Sequence, residues 1–126
     1  MPNHPVTAAE ADAFAQEWIA AWNSHDLDAI LAHYAEEVVF VSPFVIALLG
    51  VEDGVVRGRA ALREYFVRGL DAYPDLHFAF HEAFAGADSV AVRYTSVGGR
   101  ESVEVMELDG EGLVGRVTAH YSEPGA

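Results

Sequence analysis

Apolar residues recur every three or four positions early in the chain and every second position in its last third, so helices come first and strands follow. Thr7-Ala8-Ala9-Glu10 has the form of a capping box. Beyond it Phe14, Trp18, Ala21 and Trp22 share one face of a first helix that ends at Asn23-Ser24. Asp26 is suited to cap a second helix, whose buried stripe is Leu27, Ile30, Leu31 and Tyr34. Val38 to Ser42 is β-branched and aromatic, a strand stopped by Pro43. The apolar connection Phe44 to Leu49 then leads through Gly50 to an acidic turn, Glu52-Asp53-Gly54. Connections this long are commonly functional or partly structured. Gly58-Arg59 opens a third helix with Leu62, Tyr65, Phe66 and Leu70 inward, ending between Gly69 and Pro74.

After Pro74 the alternation of Leu76, Phe78 and Phe80 with His77, Ala79 and His81 predicts a strand. Val90 to Val97 predicts a second, with a hairpin signal at Gly98-Gly99. Glu101 to Leu108 and Leu113 to Tyr121 complete the set, joined by a turn at Asp109-Gly110. Three helices followed by a hairpin-linked meander predict an α+β fold with a strongly curved, mainly antiparallel sheet. That order suits a sheet closed into a cone around a small-molecule pocket. No repeat or linker divides the chain, so residues 1–126 are expected to form one domain.

Composition narrows the chemistry. There is no cysteine, which removes thiolate nucleophiles, disulfides and thiolate metal sites. All seven basic residues are arginines, so no lysine is present to form a Schiff base. A formal charge of −13 repels nucleic acid, and the basic cluster Arg57, Arg59, Arg63 and Arg68 reads as a solvated helix face. The apolar run Phe44–Leu49 is far too short to span a membrane. With no signal-peptide pattern at the N-terminus either, a soluble cytoplasmic protein is expected.

Three stretches carry a family resemblance. Ala21 to Ile30, AWNSHDLDAI, resembles the helix pair of the nuclear transport factor 2-like superfamily. Gly58 to Phe66 is similar to its third helix, and Glu107–Gly110 through His120-Tyr121 to its terminal hairpin. The nearest branch is SnoaL-like and ketosteroid isomerase-like, and the likeness runs from Thr7 to Ser122. It implies a cystatin-like α+β barrel, a pocket and a homodimer. It does not imply one reaction, because members include isomerases, cyclases, epoxide hydrolases, dehydratases and binding domains. Where ketosteroid isomerases carry an aspartate base before the strand-ending proline, this chain has Ser42; where they carry a donor tyrosine on the first helix, it has Trp18. Their second acid corresponds best to Glu104.

Glu104 alternates with Ser102 and Met106 on one strand face, with Val103 and Val105 on the other. Facing inward, it is a carboxyl in apolar surroundings, suited to general acid–base work; facing outward, it is a solvated charge. The resemblance places it inward. Arg93 lies mid-strand: inward it binds an anion or pairs with Glu104, outward it is solvated. Ser42 has no His–acid pair for a hydrolase triad and reads as a hydroxyl that orients a ligand. The resemblance puts Val117, Ala119 and Tyr121 inside, Tyr121 offering a phenol, and leaves Arg116, Thr118 and His120 outside. Trp18, Trp22, Phe40, Phe44, Phe66 and Met106 are expected to form an apolar lining. His77 and His81 stand about 13 Å apart on a strand, too far for one metal ion; His25 reads as structural and His33 as surface. No metal or cofactor is expected. Val45 to Leu49 is expected to cover the pocket mouth or a partner subunit. Two readings stay open: a cofactor-free acid–base isomerase, cyclase or dehydratase acting on a small apolar cyclic or polyketide-like compound, and a non-catalytic carrier or dimeric interaction module. Epoxide hydrolysis ranks last, since Arg93 and Glu104 alone do not make an acid–arginine–acid set.

Overall fold

The capping box forms as the sequence predicts: Thr7 Oγ1 accepts from the Glu10 amide at 3.1 Å, and Glu10 Oε1 accepts from the Thr7 amide at 2.9 Å. It starts α1 (Ala8–Ser24), which ends where His25 turns left-handed at φ 60°. Asp26 then caps α2 (Leu27–Leu31) by accepting from the Asp28 and Ala29 amides. The computed structural model describes residues 4–122. In chain order the remaining elements are β1 (Tyr34–Val41), α3 (Pro43–Leu49), β2 (Val55–Arg57), α4 (Arg59–Ala72), β3 (Ala79–Ala85), β4 (Ser89–Thr95), β5 (Glu101–Leu108) and β6 (Val114–Tyr121).

The six strands form one sheet in the order β2-β1-β6-β5-β4-β3. Every neighbouring pair is antiparallel except β1 and β6, which run parallel. The α+β class and the antiparallel meander are as expected. The sheet is not closed: β2 and β3 are its edges, so helices rather than a complete barrel enclose the interior. Trp18, Trp22, Leu62 and Phe66 of the helices pack on Val92, Tyr94, Met106 and Val117 of the strands in a single core. Among the described residues no helix is long and apolar enough to cross a membrane.

Three boundaries differ from the sequence reading, each for a local reason. The apolar connection after Pro43 is a fourth helix, not a loop. Ser42 Oγ accepts from the Phe44 amide, Pro43 occupies the first turn, and Gly50 closes the helix at φ 70°. Tyr34 starts β1 instead of ending α2, because it pairs with Val114 of β6. The β3 ladder begins at Ala79 rather than Leu76. The backbone of residues 76–78 is held instead by side chains at the end of α1 and just beyond it: Asn23 bonds both the amide and carbonyl of Phe78, at 2.7 and 2.9 Å, and His25 Nε2 reaches the Leu76 carbonyl at 2.7 Å.

Candidate functional site

A cavity opens between the inner face of the sheet and helices α1, α3 and α4. Its volume is about 60 Å³. That is room for a few waters or the head of a small organic molecule. Trp22, Phe40, Phe66, Phe78 and Tyr94 form the deep wall, all buried, while half-buried Leu48, Tyr73, Leu76, Val97 and Tyr121 stand nearer the mouth.

One carboxyl faces this apolar space. Glu104 is 4 % exposed, and the Tyr94 hydroxyl donates to its Oε2 in a short hydrogen bond. Its Oε1 is buried and has no hydrogen-bond partner among the described residues. Burial pushes the Glu104 carboxyl up from an ordinary 4.5 to about 7, against the stabilising Tyr94 hydrogen bond. Tyr34, Tyr65, Tyr94 and Tyr121 surround it, and burial raises all four phenols, reinforced by charge on Glu104. They remain neutral hydroxyls at ordinary pH. The Ser42 hydroxyl favours the ionised forms of Tyr65 and Tyr121, and Tyr94 and Tyr121 also influence each other. The arrangement is a single proton-exchanging acid in an aromatic chamber backed by neutral hydroxyls. Among the described residues no group of three or more His, Asp or Glu side chains is placed to hold a metal ion.

Residues 15–122 match the family model of the SnoaL-like domain. The chain belongs to the SnoaL-like domain family. Among solved structures, it is 41% identical to a SnoaL-like protein of unknown function from Burkholderia thailandensis E264, over 94% of this chain and 99% of that one, with a TM-score of 0.91. A candidate ketosteroid isomerase from Kribbella flavida DSM 17836 is 24% identical, over 92% of this chain and 80% of that one, with a TM-score of 0.67. The epoxide hydrolase/cyclase-like enzyme SalBIII, described in pyran ring formation in the polyether salinomycin, is 24% identical over 90% and 92%, with a TM-score of 0.72. At these lower identities the likeness is one of fold. A comparison with curated proteins returns no match.

Within this SnoaL-like domain the structure brings Glu104, Tyr121, Trp22, Phe40, Phe44 and Phe66 to the cavity wall. Trp18, Met106, Val117 and Ala119 are buried on the same side but belong to the core behind that wall. Ser42 is also buried behind it, with its hydroxyl capping α3. Arg93 overturns the inward reading. Its register partner is Val103, whereas Glu104 pairs with Val92, so the two side chains lie on opposite sheet faces. Arg93 forms exposed ion pairs with Glu82 at 3.6 Å and Glu101 at 3.5 Å. No ligand-binding role and no Arg93–Glu104 pair follow. His81 lies with this outer cluster, 2.5 Å from Thr95 Oγ1. The sequence reading overlooked Tyr94, Tyr73, Phe78 and Val97 as wall residues. For Tyr94 the signal was present: it alternates with Val92 and Val90 on the face opposite Arg93.

Proposed function

We propose that the protein takes a small, largely apolar molecule into this cavity and moves a proton on it with Glu104, without a cofactor. The observation that carries this reading is a buried carboxyl on the wall of an apolar chamber, whose Oε1 has no hydrogen-bond partner and which forms no ion pair among the described residues. A group titrating at about 7 is present in both protonation states at neutral pH, as proton transfer in both directions requires. Arg93 lies on the far face with Glu82, so it does not lock Glu104 in its ionised form. The suited reaction is isomerisation, cyclisation or dehydration next to a carbonyl. In the simplest form Glu104 takes a proton from the carbon between the carbonyl and a neighbouring C=C bond; the C–H pair forms a new C=C as the carbonyl π pair moves onto oxygen, and when the carbonyl re-forms the proton is returned at the far carbon of the original C=C. Two more distant structural neighbours, a candidate ketosteroid isomerase and an epoxide hydrolase/cyclase-like enzyme, are compatible with such chemistry in this fold.

A carrier function is the second reading, and one observation favours it. Ser42, where the ketosteroid isomerase resemblance calls for an aspartate base, is occupied as the cap of α3. Deuterium uptake separates the two. A panel of enolisable cyclic ketones is incubated in deuterated buffer with the protein and with Glu104→Gln. Catalysis predicts uptake beside the carbonyl with the native protein and its loss in the variant. Binding without uptake supports the carrier.

A further inference from the structure

A cavity that holds a benzene-sized ring measures about 150 Å³, against about 60 Å³ here. A ring therefore reaches Glu104 only if part of the wall yields. The strands under Tyr94 and Glu104 are poorly suited to move, because β4 and β5 are each paired along both edges. Trp22 and Phe66 stand within the long helices α1 and α4. The segment between α4 and β3 is different. It gives the wall Tyr73, Leu76 and Phe78, yet the β3 ladder begins only at Ala79. The Leu76 amide makes a turn bond to the Tyr73 carbonyl at 3.0 Å. Residues 76–78 are otherwise tied by the side chains of Asn23 and His25.

The two ties are unequal. Asn23 makes two bonds to the Phe78 backbone, and Phe78 is itself buried against Trp18, Trp22 and Tyr94. His25 makes one bond, from Nε2 to the carbonyl of half-buried Leu76 at 2.7 Å. Its backbone is strained at that position. Apart from glycines, His25 is the one described residue with a positive φ, 60°. It stands just past α1, where glycine is the usual residue because a Cβ crowds the left-handed backbone. The bond from its amide to the Trp22 carbonyl would survive replacement by glycine. The hold of the ring on Leu76 would not.

We propose that residues 73–78 are an adjustable wall of the cavity, fixed at Phe78 by Asn23 and released at Leu76 by His25, so that His25 sets the size of the ligand. The inference rests on the reading that this cavity receives an apolar molecule, and it narrows the class to compounds whose ring exceeds the closed chamber. With Leu76 held, the chamber takes a single large atom or a few waters. With Leu76 drawn back, it takes a ring. His25 is a specificity-determining residue and touches no reacting atom.

The probes are xenon, a single atom suited to the closed chamber, and benzene, which exceeds it. Nitrogen and proton NMR follows the His25 ring, identified by His25→Gly, and the Asn23 side-chain amide, identified against those of Asn3 and Gln16. Benzene should move the His25 Nε2–H signal upfield as its bond to Leu76 opens, while the Asn23 amide holds. Xenon should bind and leave both in place. His25→Gly should bind benzene up to about tenfold more tightly, the worth of one hydrogen bond no longer broken on entry, and xenon equally. A residue that only ends α1 predicts equal benzene affinities, since glycine keeps that cap. A stationary His25 ring in the benzene complex, or equal benzene affinities, would overturn the proposal and leave the cavity reading standing. Xenon binding with no benzene binding to either protein would do the same, because the wall would then not yield. Failure of both probes to bind either protein would overturn both.

Discussion

Replacing Glu104 by glutamine removes the chain's one buried carboxyl among the described residues and leaves a side chain of nearly the same shape. In the unfolded chain this carboxyl titrates near 4.5; in the fold burial moves it to about 7. Between those values the folded protein holds a proton that the unfolded chain has released, so folding stability falls as pH rises through the window. The gap is about 2.5 pH units, and at about 1.36 kcal/mol per unit the loss is about 3 kcal/mol. Below the window both states are protonated and above it both are ionised, so the term is constant at either end. Glu104→Gln lacks it. Urea unfolding of both proteins between about pH 4 and about pH 8.5 therefore isolates the effect, since every other titrating group is shared. The variant should gain on the native protein by about 3 kcal/mol across the window, whatever constant offset the amide introduces. Parallel pH profiles would refute the argument, because they would mean that Glu104 ionises as freely in the fold as outside it.

Further expectations follow from single contacts. Tyr94→Phe removes the donor to Glu104 Oε2; the carboxylate loses a charge-assisted bond, so its titration, followed by carbon NMR, should move above 7 by about one pH unit or more. Arg93→Ala should change stability by less than about 1 kcal/mol in urea unfolding and leave the Glu104 titration unchanged, because its ion pairs are exposed on the outer face. Asp26→Ala should cost about 1 kcal/mol by thermal or urea unfolding, having lost the bonds to the Asp28 and Ala29 amides. Gly54→Ala should destabilise by about 1–2 kcal/mol, since φ is +69° and a Cβ there meets the Ser42 carbonyl oxygen at 3.0 Å.

Much of the fold was legible because its signals are local. The Thr7–Glu10 box, the Asp26 cap, and the alternation through Glu101–Leu108 each act over a few residues, and all appear in the structure. The missing helix was legible too: Ser42-Pro43 before an apolar run and Gly50 after it form a start-and-stop pair. Pro43 was read only as the end of a strand. The later start of β3 was not legible, because it depends on Asn23 reaching Phe78 across 55 positions of sequence.

At the site, alternation separated Glu104 from Val103 and Val105 but left its face undecided. The resemblance to the SnoaL-like branch placed it inward, and the geometry puts it on the cavity wall. Alternation along one strand could not relate Arg93 to Glu104, because their faces depend on the register of β4 against β5. The bond from the Trp18 indole to the Tyr34 hydroxyl was beyond sequence reasoning, because Trp18 and Trp22 lie on the same helical face and only the placement of Tyr34 in the fold selects the partner.

The most direct test of the account is the titration of the Glu104 side-chain carboxyl by carbon NMR, with Glu104→Gln identifying the signal. The account predicts a midpoint near 7, well above the exposed carboxylates of the same spectrum. A midpoint near 4.5 would contradict it: the carboxyl would then be a permanently ionised, solvated group, and the cavity would have no acid to lend at neutral pH.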